Sequence, residues 1–204
     1  MHENVLLPEQ KVLLSFIGSF SNKFCLIGGT AVALQLGHRI SVDFDLLTNS
    51  ELQTNDIRNL IGKSQQIETV LVDETNEFTV VIGGVKFTFL KYPFDVHPNV
   101  DFREIIKMPD LLSLGAMKAY ALGRRAKWKD YVDLYFIIGQ FSFRELITRA
   151  VEIFGKEFNE KLLREQLAYF KDIDYTEKIG FMEGFKVEDE IIRDKLTEIS
   201  LQKF

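Results

Sequence analysis

Two aspartates one residue apart, Asp43 and Asp45, are the side chains of this sequence best suited to chemistry. They lie in the mainly apolar segment 42–46, whose composition is typical of a short β-strand. Because side chains alternate across a strand, both carboxylates are expected on one face and the apolar side chains on the other. Like charges held side by side repel each other. A divalent cation offsets that repulsion, and carboxylate oxygens suit Mg²⁺ or Mn²⁺, so Asp43 and Asp45 are predicted metal ligands.

The pair Gly28-Gly29 is the second feature with a chemical role. It follows the apolar run 24–27, a predicted buried strand, and opens a predicted helix that reaches about Gly37. Glycines at a strand-to-helix junction let the backbone approach a phosphate, and the N–H groups at a helix start face an anion. Thr30 adds a hydroxyl at the same place. A phosphate cradle followed by a metal-binding Asp-x-Asp is the arrangement that holds a nucleoside triphosphate and its metal ion.

The segment 28–48, GGTAVALQLGHRISVDFDLLT, resembles the nucleotidyltransferases of the DNA polymerase β superfamily and more specifically the AbiEii/AbiGii toxin family. That resemblance implies a metal-dependent enzyme that transfers a nucleotide from an NTP to an acceptor, with RNA or tRNA among the candidates. It also implies a toxin of a toxin–antitoxin or phage abortive-infection system, with an antitoxin protein as partner. Arg39 lies in the matching turn and is assigned to nucleotide binding.

A second informative stretch is 107–129, which holds six basic residues and one acidic residue in a chain of net charge −5. It contains a predicted helix that runs to about residue 122, and Lys-Asp-x-x-Asp-Leu follows at 129–134. This pattern is similar to the C-terminal motifs of the AbiEii family. The resemblance implies the following roles: Lys118 at the triphosphate, Arg124 or Arg125 beside it, and Asp130 or Asp133 as a general base or an anchor. The alternative is a solvated basic surface with Asp130 as a helix N-cap.

The chain departs from the superfamily pattern on the third of three predicted antiparallel strands, at 67–72, 77–82 and 85–91. Superfamily members commonly place a third carboxylate on this strand, and here Thr88 stands at the aligned position. The absence of this third carboxylate puts the transfer step in question more than NTP binding. Two further hypotheses therefore stay open. One is a catalytically inert nucleotide-binding or partner-binding homologue, and the other is transfer to a small molecule of the aminoglycoside type.

Length and composition agree with a folded protein of two domains. The 204 residues are 46% hydrophobic and 27% charged, and the 18 phenylalanines are expected in the core. We predict an α/β (α+β) protein: a nucleotidyltransferase core domain at 1–105 with a mixed sheet flanked by helices, then an all-helical C-terminal domain at 106–204. One cysteine excludes an internal disulfide. No signal peptide or membrane span is expected, which predicts a cytoplasmic protein.

Overall fold

The computed structural model describes residues 1–122 and 124–203 and divides the chain into two compact units, Met1–Asp110 and Leu111–Phe204. The first unit combines a sheet with short helices. In chain order it contains a 3₁₀ turn at Glu3–Val5, α1 at Pro8–Val12, α2 at Leu14–Gly18, β1 at Cys25–Ile27, α3 at Gly28–Leu36, β2 at Phe44–Thr48, α4 at Thr54–Ile61, β3 at Thr69–Glu74, β4 at Glu77–Ile82, β5 at Val85–Lys91, β6 at Pro98–Phe102 and β7 at Ile106–Pro109.

The main sheet of the first unit is five-stranded and mixed, with the strand order β1-β2-β5-β4-β3. Strands β3, β4 and β5 form the predicted antiparallel meander, whereas β2 and β5 run parallel. A parallel pair requires a long connection, and here α4 and the meander supply it. Strand β2, which carries Asp45, lies between the edge strand β1 and the central strand β5.

Phenylalanine side chains fill the core of the first unit, as the composition predicted. The ring of Phe87 on β5 has its centroid 5.3 Å from that of Phe44 and 5.7 Å from that of Phe16 on α2. Phe20 packs against Phe89 at 4.9 Å. Each buried aromatic side chain contributes about 1.5–3 kcal/mol, and the edge-to-face contacts add to this. The opposite face of β2 and β5 is thereby left for polar side chains.

A separate hairpin, β6–β7, completes the first unit. The sequence placed the domain boundary between 105 and 106, in the turn of this hairpin. The division in the structure falls after Asp110 instead, because β7 forms its hydrogen bonds with β6 and so belongs with the first unit.

The second unit is built from helices: α5 at Leu111–Leu122, α6 at Trp128–Ile138, α7 at Phe143–Phe154, a 3₁₀ turn at Gly155–Glu157, α8 at Glu160–Ala168 and α9 at Asp189–Ser200. Gly115 lets α5 approach its neighbours, since a Cβ there would lie 2.8 Å from Ile137 and 2.9 Å from Leu146. Ser142 and Glu145 form a capping box at the start of α7. Within the described ranges, 1–122 and 124–203, no helix has the length and apolar character needed to cross a bilayer.

Candidate functional site

The turn from β1 into α3 brings a glycine against an aspartate. Gly28 has φ of +73°, and a Cβ built there would lie 2.1 Å from Oδ2 of Asp45. Both the positive φ and the close carboxylate exclude any side chain at this position. The predicted metal ligand Asp45 therefore lies directly on the predicted phosphate turn.

The second glycine accommodates a guanidinium group. A Cβ at Gly29 would lie 2.6 Å from Nη2 of Arg39 and 3.1 Å from Oγ of Ser41. Arg39 is only 4% exposed and also donates from Nη1 to the carbonyl of Ile40 at 3.0 Å. The sequence attributed the glycine pair to the approach of a phosphate. In the structure the same pair admits a carboxylate and a guanidinium of the chain itself.

Thr30 ties the helix to the start of β2. Its hydroxyl lies 2.9 Å from Oγ of Ser41 and makes a short hydrogen bond to the backbone carbonyl of Asp43. The side chain is 1% exposed, so this hydroxyl holds Asp43 in place. Its predicted contact with a nucleotide stays a prediction.

Asp43 and Asp45 flank the first residue of β2, which begins at Phe44 rather than at residue 42. Phe44 and Leu46 are buried, whereas both aspartates are partly exposed, which is the predicted alternation. Val42 was predicted to share the buried face, but it precedes the strand and is 49% exposed. The two carboxylates therefore belong to the polar face of the sheet.

Two residues of β5 complete that polar face. Thr88 is the register partner of Asp45, at the place where the superfamily's third acid was predicted to be missing. Lys86 is in line with Asp43, and its Nζ lies 2.9 Å from Oδ2 of that aspartate. Alternation along β5 puts Lys86 on the same strand face as Thr88. Part of the charge compensation ascribed to a metal ion thus comes from this ammonium group.

The donor set fits a divalent cation that also binds phosphate oxygens. Within the described part of the chain, no cluster of three or more His, Cys, Asp or Glu side chains could hold a metal by itself. Mg²⁺ is commonly bound through one or two carboxylates together with substrate phosphates. Asp43 and Asp45 match that mode of binding.

The second unit brings together another set of predicted residues. Nζ of Lys118 on α5 lies 2.5 Å from Oδ1 of Asp130 and 2.8 Å from Oδ2 of Asp133, both on α6. Lys118 is 4% exposed and both aspartates are 0% exposed. The aspartates are three residues apart and so share one helix face. The ammonium group lies between two buried carboxylates, which hold it in a fixed position.

Arg125 joins this cluster, with Nε 3.0 Å from Oδ2 of Asp130. Burial of Asp130 disfavours its charged form, but the attraction of Lys118 and Arg125 outweighs burial, and the pKa of Asp130 lies below its usual value. The alternative of Asp130 as an N-cap was wrong, because the N-cap of α6 is Lys127. The neighbouring Arg124 instead lies 3.6 Å above the ring of Tyr120.

Sequence patterns did not predict a role for Glu177, which lies near this cluster. Its Oε1 is 2.7 Å from Nζ of Lys127 and its Oε2 is 2.5 Å from Nζ of Lys129. Lys127 and Lys129 thus form ion pairs, which differs from the alternative of a solvated basic surface. They attach the segment before α9 to the start of α6, where Trp128 also donates from Nε1 to Asp189. Glu177 lies 48 residues after Lys129, so no local sequence pattern predicts the contact.

Replacing Gly28 by alanine is expected to lower the free energy of unfolding by about 2–4 kcal/mol, because the new Cβ is strained and displaces the Asp45 carboxylate. Gly84 provides a matched control: its φ is +72° and open space surrounds its Cβ position. Gly84→Ala should cost only about 1 kcal/mol. Denaturant unfolding of both variants measures the difference, and equal losses would contradict the contact described.

Glu177→Gln tests the attachment of the segment before α9. Burial opposes the charged form of Glu177, but hydrogen bonds from Lys127 and Lys129 outweigh it and lower its pKa from 4.5 to about 2. A carboxyl group whose pKa is lowered by folding stabilises the folded state fully at pH values above its unfolded-state pKa. That stabilisation is lost as the pH falls through the folded-state pKa. The variant should be about 1 kcal/mol less stable than the parent near neutral pH.

That difference should shrink as the pH falls below about 4.5, and it can be followed by urea unfolding at several pH values. Glu198 pairs with Lys195 three residues away on the surface, so Glu198→Gln serves as a control with little effect at any pH. A difference between Glu177→Gln and the parent that stays constant down to acidic pH would contradict the assignment.

Comparison with known sequences finds a family that matches most of the first unit. Residues 12–104 match the sequence family described as nucleotidyl transferase AbiEii toxin, type IV TA system. These residues include the glycine pair, both aspartates and β5. The chain is also 28% identical over 180 residues to an uncharacterized protein of Aquifex aeolicus strain VF5, covering 82% of this chain and 84% of that relative.

Solved structures with a similar fold include JHP933 from Helicobacter pylori, with a TM-score of 0.57 and 16% identity over 98% of this chain and 91% of that one. MenT4, a nucleotidyltransferase toxin of Mycobacterium tuberculosis H37Rv, has a TM-score of 0.65 and 12% identity over 95% of this chain and 82% of that one. At such identities the likeness concerns the fold. The predicted nucleotidyltransferase fold with a mixed sheet is confirmed.

Proposed function

We propose, from the match of residues 12–104 to the AbiEii family of nucleotidyltransferase toxins, that this chain transfers a nucleotide from an NTP to an acceptor with the help of Mg²⁺ or Mn²⁺. The family is that of a type IV toxin–antitoxin system, which implies a cognate antitoxin as partner. RNA, including tRNA, is the proposed acceptor.

The observation that carries this proposal is the position of Asp45. Its carboxylate lies against the Cα of Gly28, at the start of α3, while Asp43 stands one residue before β2 on the same face. A triphosphate over this turn would meet the helix N–H groups and the guanidinium group of Arg39 beside Gly29. Asp43 and Asp45 would hold the cation, which would supply positive charge against the negative charge that develops on the phosphates.

The residues of the chain act mainly by positioning and by charge. Thr30 holds the backbone of Asp43, the Asp45 carboxylate lies against Gly28, and Arg39 is buried beside Gly29. Such prearranged groups favour the transfer step because they need no reorganisation during the reaction. The roles that resemblance implies for Lys118, Arg124, Arg125, Asp130 and Asp133 stay predictions.

The proposal is tested by incubating the purified chain with total cellular RNA and each of the four α-³²P-labelled NTPs. Label incorporated into RNA with the wild-type chain, and lost with Asp45→Asn, is the expected result. The same assay with an aminoglycoside in place of RNA tests a small-molecule acceptor. Label in RNA that does not depend on Asp45 would contradict the proposed site.

A second candidate is a nucleotide-binding homologue without transfer activity. It is favoured by one observation: Thr88, the register partner of Asp45, is not an acid. A threonine hydroxyl cannot accept a proton at neutral pH as a carboxylate does. NTP binding that depends on Asp45, with no label transferred to any acceptor, would support this candidate over the enzyme.

A further inference from the structure

Strand β5 presents a positive charge at the place where the sheet carries two negative charges. The parallel register pairs Phe44 with Phe87, which puts Lys86 in line with Asp43 and Thr88 beside Asp45. The Nζ of Lys86 lies 2.9 Å from Oδ2 of Asp43, the distance of a charge-assisted hydrogen bond.

This ion pair is better shielded than the surface pair of Lys195 and Glu198. The side chain of Asp43 is 20% exposed and that of Lys86 is 37% exposed. In the surface pair of Lys195 and Glu198 the corresponding values are 48% and 64%. Partial burial strengthens the attraction between the charges and reduces its screening by salt. Lys86 is therefore a fixed part of the polar face on which the aspartates lie.

We propose that Lys86 takes the place of a second metal ion, so that this chain binds one divalent cation with its nucleotide. The inference rests on the proposed function, because it concerns the cation held by Asp43 and Asp45. Two-metal sites hold their ions about 3.5–4 Å apart between shared oxygens. A second cation of that kind needs additional negative charge close to the first.

Neither Lys86 nor Thr88 of β5 supplies such negative charge. Thr88 is neutral, and the Lys86 ammonium group bonds Asp43 directly. The two carboxylates and this ammonium group together carry one net negative charge, so any further negative charge for a second cation would have to come from the triphosphate itself. A second ion would be repelled by both the first ion and Lys86. Lys86 thus acts as a positioning residue that orients Asp43 and sets the number of metal ions.

The test counts Mn²⁺ ions by electron paramagnetic resonance, with each of four α,β-methylene nucleoside triphosphates as the probe. The wild-type chain should bind one Mn²⁺ beyond the background measured with Asp45→Asn. Two ions per wild-type chain would overturn the role of Lys86 while leaving the proposed function intact. Mn²⁺ binding equal in the wild type and in Asp45→Asn would overturn the proposed function, and the inference with it.

Variants of β5 then separate charge from structure. Lys86→Met should bind its Mn²⁺ about tenfold more tightly, because a nearby positive charge is gone. Lys86→Arg should behave as the wild type, and the double variant Lys86→Met/Thr88→Asp should bind a second Mn²⁺. Lys91 on the same strand pairs with Glu51, so Lys91→Met is the matched control with unchanged Mn²⁺ affinity. Equal affinity of Lys86→Met and Lys91→Met would overturn the inference.

Discussion

Asp45→Asn is expected to abolish metal-dependent NTP binding and to lower nucleotide transfer by about a thousandfold or more, since it removes a carboxylate proposed to hold the cation that binds the phosphates. The amide has nearly the size of the carboxylate, so the contact with Gly28 is kept and the fold is not disturbed. Calorimetric titration of NTP with and without Mg²⁺ measures binding, and the RNA-labelling assay measures transfer.

Asp73 provides the control for this substitution. It is also an aspartate on the main sheet, but it lies on β3 and pairs with Arg58 at 2.6 Å, with a side chain that is 48% exposed. Asp73→Asn should change NTP binding by no more than about twofold, as expected for a surface substitution. Unaltered metal-dependent NTP binding by Asp45→Asn would remove the basis for placing the cation at this aspartate.

The segment 24–48 could be predicted well because its signals are local. An apolar run, a glycine pair, a helix with small and apolar residues and an alternating strand follow one another, and the structure shows β1, α3 and β2 in that order. The boundaries shifted by a residue or two, as for β2, which starts at Phe44. Periodicity determines the kind of element more firmly than its ends.

The contacts that shape the candidate site were not local and could not be predicted in the same way. The ion pair of Lys86 and Asp43 depends on the register of two parallel strands that are separated by α4, β3 and β4. The approach of Arg39 to Gly29 depends on how the chain turns after α3. Alternation gave the correct face for Lys86, but only the register gave its partner.

The domain boundary was misplaced because the turn of the β6–β7 hairpin lacks the usual signal. Hairpin turns with positive φ commonly use Asn or Gly, and here Arg103 and Glu104 adopt φ of 55° and 58°. Asp101 accepts a hydrogen bond from the backbone N–H of Glu104, and Glu3 binds the Arg103 guanidinium group. One local hydrogen bond and one tertiary ion pair thus stabilise a turn that lacks Asn and Gly.

Lys118→Met is expected to lower the free energy of unfolding by about 3–5 kcal/mol, because it removes the cation that binds both buried carboxylates and leaves Asp130 with Arg125 only. Asp130 and Asp133 are both fully buried, and Lys118 binds each of them. Methionine keeps most of the length and volume of the side chain, so the loss reports charge more than packing. Urea unfolding measures it, and Lys195→Met, which breaks a surface pair, should cost less than about 1 kcal/mol.

The pH dependence of Lys118→Met identifies the stranded charge as the cause of the loss. In the parent the pKa of Asp130 is lowered mainly by Lys118 against the effect of burial. Without that cation Arg125 is left to oppose burial, so the pKa of Asp130 is higher in the variant than in the parent, and the variant loses less stability than the parent as the pH falls. The variant should therefore recover part of its deficit at mildly acidic pH.

The triple variant Lys118→Met/Asp130→Asn/Asp133→Asn should recover part of this deficit at neutral pH as well, because no unpaired buried charge remains. A deficit that is the same at every pH and in the triple variant would show that Lys118 contributes by packing alone.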